Sequence, residues 1–170
     1  VHAQKQLQIE LQTNENKGYF YGDSTDLMEL LGNVLDNACK AAKDNVRASV
    51  QTQQNFVQID IEDDGPGIPK EKRQLLLTRG IRLDSYQEGQ GIGMAVVADL
   101  VDAYQGTLIV EDSELGGARI SLRFSIKRPD WAHNLIPWNV KNVQWPNINM
   151  QINLNTAFSL ILIGHYFHAY

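Results

Sequence analysis

A single cysteine, Cys39, stands in 170 residues, so no disulfide framework within the chain holds it together. A lone thiol fits a reducing compartment, and its place inside an apolar helical pattern marks it as a small packing residue. Long hydrophobic runs are also scarce. The segment Phe158 to Gly164 is the longest near either end, and it falls far short of the ~20 apolar residues that a spanning helix needs. Nothing near Val1 reads as a secretion signal. The expectation is a cytoplasmic domain with no direct membrane contact, any anchor lying outside this sequence. Basic charge is sparse as well: 15 Lys and Arg against 20 Asp and Glu leave a net charge of −5. That balance argues for no nucleic acid as partner, because neutralising a phosphate backbone takes a basic surface. A single small anion needs only a local basic patch.

What is present suffices for one sizeable core, with 43% hydrophobic and 21% charged residues. Residues 6–11 alternate as a half-buried strand, and 18–22 read as a second short one. Asp23 and Ser24 supply N-cap chemistry for a following helix. Strands are expected over 46–51 and 55–62 around the polar link Gln53-Gln54-Asn55, and over 107–112 and 118–126 around a turn at Gly116-Gly117. Strands mixed with long helices and two hairpins point to an α/β chain, a two-layer α/β sandwich with a mixed sheet and helices on one face. Residues 1–126 form this unit. Residues 127–170 are of another kind, holding all three tryptophans, three of the five prolines and seven asparagines, but only four charged side chains. This Trp/Asn-rich tail has no assignment, though Phe158 to Ile163 is its best candidate for an added strand or helix.

The chemistry begins in Glu29 to Lys43. At 100° per residue, Leu27, Leu30, Leu31, Val34, Leu35, Ala38 and Ala42 share one helix face, while Glu29, Asn33, Asn37 and Lys40 fall in a separate arc about 80° wide. Two carboxamides and an ammonium in one stripe suit a nucleotide's phosphates: a carboxamide oxygen can ligate Mg2+ and the lysine can reach a phosphate. Alone, the stripe is equally a solvated surface. Asp63-Asp64-Gly65-Pro66-Gly67-Ile68 then follows the alternating run 56–61, so an acidic pair emerges where a strand ends in a tight turn. A carboxylate there is a pure acceptor, which the exocyclic amine of adenine requires, and glycine admits a flat base close to the backbone. Gly89-Gln90-Gly91-Ile92-Gly93 opens the apolar-periodic segment 94–104, placing free N–H groups at a helix N-terminus, where anions bind.

Together, in this order, the three clusters resemble the ATP-binding domain shared by sensor histidine kinases, gyrase, MutL and the large heat-shock chaperone, the GHKL or Bergerat fold. Asn33 to Lys40 resembles its N box, Asp63 to Ile68 its first glycine box, Gly89 to Gly93 its second, and Gly116-Gly117-Ala118 its later small-residue element. The runs NVLDNACK, EDDGPGIP, TRGIRLD, GQGIGMAV and LGGAR are most similar to PhoQ-type sensor kinases, over about residues 5–126. The resemblance implies ATP and Mg2+ as ligands, with Asn37 on the metal. It implies Asp63, Gly65, Gly67, Ile68, Gly89, Gly91, Gly93 and Gly117 around the nucleotide, and Asn33, Lys40, Arg79 and Arg82 as the catalytic set. The partners it implies are a dimerisation domain bearing the phosphoacceptor histidine and, through the full protein, a response regulator. None of His2, His133, His165 and His168 has the context of a phosphoacceptor. Between the glycine boxes, 69–88 is a polar stretch with Lys70, Lys72, Arg73, Arg79 and Arg82, read as a basic loop able to close as a lid. It carries Leu75-Leu76-Leu77 where many kinases have phenylalanine.

Reaction type hangs on Asn33. In the gyrase-like branch a glutamate one turn before the metal-binding asparagine activates water, and an amide cannot take that proton. Phosphoryl transfer to an external nucleophile is therefore expected over hydrolysis, with Glu29 a weaker candidate base. An ATP hydrolase, a serine kinase of the anti-sigma type and an inactive nucleotide-binding module remain alternatives.

Overall fold

The structure is a computed structural model that describes residues 7–13, 19–77, 91–127 and 152–153. Among these, six strands and three helices follow one another as β1 (Gln8–Thr13), β2 (Tyr19–Phe20), α1 (Ser24–Ala41), β3 (Asn45–Thr52), β4 (Phe56–Asp63), α2 (Lys70–Leu77), α3 (Gly91–Ala103), β5 (Thr107–Asp112) and β6 (Ala118–Ser125). A further short strand, β7 (Ile152–Asn153), pairs antiparallel with β2. The rest of the tail, including 158–163 and the tail histidines, lies outside the described residues, as does His2.

The main sheet has the order β1-β3-β4-β6-β5, parallel between β1 and β3 and antiparallel elsewhere. This is the mixed sheet anticipated from the two hairpins. Its parallel edge needs a long crossover, which α1 supplies. Asp23 caps α1, its Oδ1 accepting from Thr25 N at 2.6 Å, and Asp26 and Lys40 stand at the ends where the helix dipole favours their charges. The apolar face falls as the periodicity predicts: Leu27, Leu30, Leu31, Val34, Leu35 and Ala38 are all buried. They join Val97 and Val101 of α3 and the inward residues Val46, Ala48, Val50, Val57, Ile59, Ile61, Leu122 and Phe124 in one core. Truncating any of the leucines to alanine is expected to cost about 2–5 kcal/mol. Phe20 seals one end, edge-on to both Tyr104 and Phe124.

Two elements depart from the sequence reading. The alternation of β4 suggests one wet face, yet every residue from Val57 to Asp63 is buried. Its polar side is covered by ion pairs: Arg119 reaches Asp60 and Arg47 reaches Glu62, each at 2.8 Å, while Arg123 Nε donates to Gln58 Oε1. The hydrogen bonds that Arg119 and Arg47 donate to these carboxylates raise the arginine pKa values, against the opposing effect of burial. The second departure is α2. The stretch 69–88 reads as loop, but its first eight residues after Pro69 are helical, with Lys72 and Arg73 N–H groups donating to Pro69 O. Proline just before a helix and Glu71 in its first turn are the local cues.

Candidate functional site

Asp63 ends β4 and is 4% exposed. Its Oδ1 accepts from Gly65 N at 2.8 Å and more weakly from Ala118 N at 3.3 Å. Its carbonyl accepts from Gly117 N at 3.1 Å. A strand end, the first glycine turn and the β5–β6 turn thus meet on one carboxylate. Gly117 tolerates no side chain here, because a Cβ would overlap Asp63 Oδ1 outright and crowd Gly65 N at 2.5 Å. Gly67 has φ +73°, and a Cβ there would press on Gly117 O at 3.3 Å. Gly65 lies against the carbonyl of Ala41, so the first glycine box backs onto the last turn of α1. Ile68 packs partly buried on the core.

Asp64 points elsewhere. Its carboxylate accepts from Lys43 N at 2.7 Å, Asp44 N, Asn45 N at 3.0 Å and Asn45 Nδ2 at 2.9 Å, stitching the α1–β3 turn to the end of β4. Burial pushes this carboxyl up, and the Asn45 side chain with the three backbone N–H groups outweighs it, lowering the pKa to about 2. Two adjacent aspartates therefore have different roles, one facing the glycine turns and one holding the scaffold.

Midway along α1, the second glycine box comes in. A Cβ on Gly93 would lie 2.7 Å from Asn33 Oδ1, so a larger residue in α3 would have to displace the Asn33 side chain. Asn33 Nδ2 donates back to Glu29 O at 2.9 Å. One turn on, Asn37 Nδ2 is buried and makes no hydrogen bond among the described residues. Lys40 pairs with Asp36 at 2.5 Å, both about half exposed. Such an (i, i+4) surface pair is worth only about 0.3–0.5 kcal/mol, so a competing phosphate displaces it at little cost. Gly91 opens α3. Arg79, Arg82 and Gly89 lie outside the described residues.

Asn33 and Ala41 are eight residues apart, about 12 Å along the helix axis at 1.5 Å per residue. Helix α1 thus carries an acidic, glycine-lined site at its last turn, at Ala41 and Gly65, and an amide-bearing site at its middle, at Asn33 and Gly93. A family model described as histidine kinase-, DNA gyrase B-, and HSP90-like ATPase matches residues 22–128. The chain belongs to this family. Within the family it is similar to the virulence sensor histidine kinase PhoQ of Salmonella typhimurium, 44% identical over 110 residues that make up 65% of this chain and 23% of that protein. It is likewise similar to the sensor protein kinase CarS of Pseudomonas aeruginosa, 44% identical over 106 residues, 62% of this chain and 24% of CarS. The chain spans about a quarter of the curated relatives it matches. Among solved structures, the ATP binding domain of PrrB from Mycobacterium tuberculosis superposes with a TM-score of 0.58 at 30% identity, over 70% of this chain and 79% of PrrB. The α/β fold with its mixed five-stranded sheet is the family's fold.

The residues present fit a nucleotide with its metal. The acceptor at the base end is preformed at Asp63, and Gly65 and Gly117 bring backbone against it more closely than any Cβ allows. Asn37 Nδ2 is buried with no hydrogen-bond partner among the described residues, and its amide oxygen is of the type that ligates Mg2+. Among the described residues no group of three His, Cys, Asp or Glu side chains forms a metal cage. A Mg2+ here would draw its remaining oxygens from phosphate and water, as Mg2+ commonly does. Sequence reasoning placed Arg73 in the basic loop between the glycine boxes and missed its partners. Its guanidinium is committed to Ile68 O and Asp112, leaving it off the phosphate-facing set. Among the described residues no helix is long and apolar enough to cross a membrane.

Proposed function

We propose that this chain binds Mg-ATP and donates the γ-phosphoryl group to a histidine on a separate dimerisation domain of a two-component sensor kinase, as its cytoplasmic catalytic part. A response regulator then receives the phosphoryl group from the full protein. The observation that carries the reading is the buried Asp63 carboxylate set among Gly65, Gly67 and Gly117, with Gly65 against Ala41, one turn of α1 beyond Asn37.

In this reading Asp63 accepts from the adenine amine, and Gly65, Gly67, Ile68 and Gly117 line the base. The amide of Asn37 is the protein ligand to Mg2+. Lys40, Arg79 and Arg82 hold phosphate oxygens, and the N–H groups of Gly89, Gly91 and Gly93 add donors where α3 begins. Bound Mg2+ supplies neutralisation of charge that develops on the transferred phosphoryl group. Asn33 separates kinase from hydrolase: its amide donates to Glu29 O and abuts Gly93. It has no proton affinity with which to activate water.

Calorimetry with ATP, with and without Mg2+, followed by addition of a dimerisation domain carrying its histidine, tests this directly. Mg2+-strengthened binding and phosphohistidine on the added domain, with slow phosphate release by the chain alone, is the expected result. Rapid release of free phosphate without transfer assigns the chain to the hydrolase branch instead.

A further inference from the structure

Arg73 lies in the first half of α2, and its guanidinium points in two directions at once. Nε donates to the carbonyl oxygen of Ile68 at 2.8 Å, and a terminal nitrogen donates to Asp112 Oδ1 at the end of β5. The Arg73 side chain is only 15% exposed, whereas that of Asp112 is 73% exposed. An exposed ion pair alone contributes little, so the better-shielded bond to Ile68 carries the constraint and Asp112 orients the fork. Ile68 closes the 65–68 turn. Asp112 leads into the 113–117 turn, which is held by Ser113 N on Gly117 O at 2.9 Å and Gly116 N on Ser113 O at 3.0 Å.

Both turns converge on Asp63, through Gly65 N on its carboxylate and Gly117 N on its carbonyl. They also touch each other at Gly67 and Gly117. One side chain of α2 thus ties together the two loops that frame the buried carboxylate.

Resting on the nucleotide-binding reading above, we propose that Arg73 is a positioning residue for the base pocket. It holds the 65–68 and 112–117 turns in register with α2. A planar fork is required, because a lysine ammonium has no second donor fixed at the angle that reaches both acceptors.

The test uses the full chain and four variants: Arg73→Gln, Arg73→Lys, Asp112→Asn and the Arg73→Gln/Asp112→Asn double. Adenosine binding is measured well below each variant's Tm, with amide hydrogen exchange of α2 alongside. Arg73→Gln is expected to weaken adenosine binding by roughly tenfold, the scale of one lost charge-assisted bond. Asp112→Asn is expected to weaken it by less, with the double no worse than Arg73→Gln, as for two residues acting through one contact. Lysine at position 73 recovers part of the loss. With ATP and an added phosphoacceptor domain, KM rises while kcat is kept, a split that general destabilisation does not produce. Exchange at the Lys72 and Arg73 amides accelerates in Asp112→Asn, although Asp112 lies on another element. Unchanged adenosine affinity in Arg73→Gln, or α2 exchange indifferent to Asp112, overturns the assignment. A wild-type chain that binds neither adenosine nor Mg-ATP overturns the nucleotide reading instead, so the two failures are told apart.

Discussion

The last turn of α1 and its polar middle are built on different principles. At the Ala41 end, Asp63, Gly65, Gly67 and Gly117 are locked by backbone hydrogen bonds and by contacts too close for any side chain. Along the helix itself the polar side chains rest on α1: Asn33 at its middle on Glu29 O, Lys40 in its last turn on Asp36, and Asn37 between them with a buried Nδ2 that has no hydrogen-bond partner among the described residues. A flat base needs a preformed slot, since its recognition is a matter of shape and one or two hydrogen bonds. Phosphates and a metal need charge that can be redirected, and side chains parked on weak local contacts are released cheaply when a ligand arrives. The base end is rigid scaffold, and the phosphate end is a set of ready side chains.

The largest break in this contrast is Gly117→Ala. A Cβ there would overlap Asp63 Oδ1 and approach Gly65 N, so the β5–β6 turn has to shift. Overpacking of this kind costs about 1–3 kcal/mol of stability, and the displaced carboxylate is expected to lower adenosine affinity by about a hundredfold or more. Thermal denaturation and adenosine titration report both. An alanine variant that binds adenosine like wild type removes the case for a rigid base end.

A smaller effect comes from a matched pair, Asp63→Asn and Asn37→Ala. Asparagine at 63 keeps an oxygen to accept from Gly65 N but loses the carboxylate's charge and its second acceptor. ATP affinity should fall by about 1–3 kcal/mol, with a narrower preference over GTP. Removing Asn37 deletes an amide whose Nδ2 has no hydrogen-bond partner among the described residues, so stability should barely change. Mg2+-dependent ATP binding should be lost while adenosine binding is retained. If Asp63→Asn spares adenosine, or Asn37→Ala harms it, the division between the two ends collapses.

Much of this was legible in the sequence, for reasons that differ by element. Helix α1 was plain because its apolar positions repeat at 3.6 over five turns, and Asp23 caps where the pattern starts. Strands β3 to β6 were plain from alternation, within a residue or two at their ends. Asp63 and Gly117 were singled out separately, but their contact belongs to tertiary structure and no spacing encodes it. Helix α2 escaped because Lys70 to Arg73 carry no apolar stripe, and the commitment of Arg73 to Ile68 and Asp112 escaped with it. The buried polar side of β4 was hidden for a similar reason: alternation shows that Gln58, Asp60 and Glu62 share a face, but not that three arginines from β3 and β6 cover it. Of two adjacent aspartates the motif likeness picked out Asp63, and no local signal gave Asp64 a separate task.

That separate task yields the smallest expected effect and the finest test of the division. Asp64 takes no part in the base pocket, and its hydrogen bonds from four donors hold the turn that follows α1. Its pKa is lowered from 3.8 to about 2, so the folded state favours the ionised form more than the unfolded state does. The resulting stability is present above about pH 4 and is lost as pH falls through that window toward 2. Asp64→Asn cannot titrate, so its Tm should be modestly lower near neutrality, and its acid limb between pH 4 and 2 should be shallower than wild type. Adenosine affinity should stay within about twofold, because the pocket-facing carboxylate is untouched. A variant whose Tm falls as steeply with acid as wild type would show that Asp64 is not the group holding the turn. A loss of adenosine binding as large as that of Asp63→Asn would show instead that scaffold and pocket are one unit at this end of the helix.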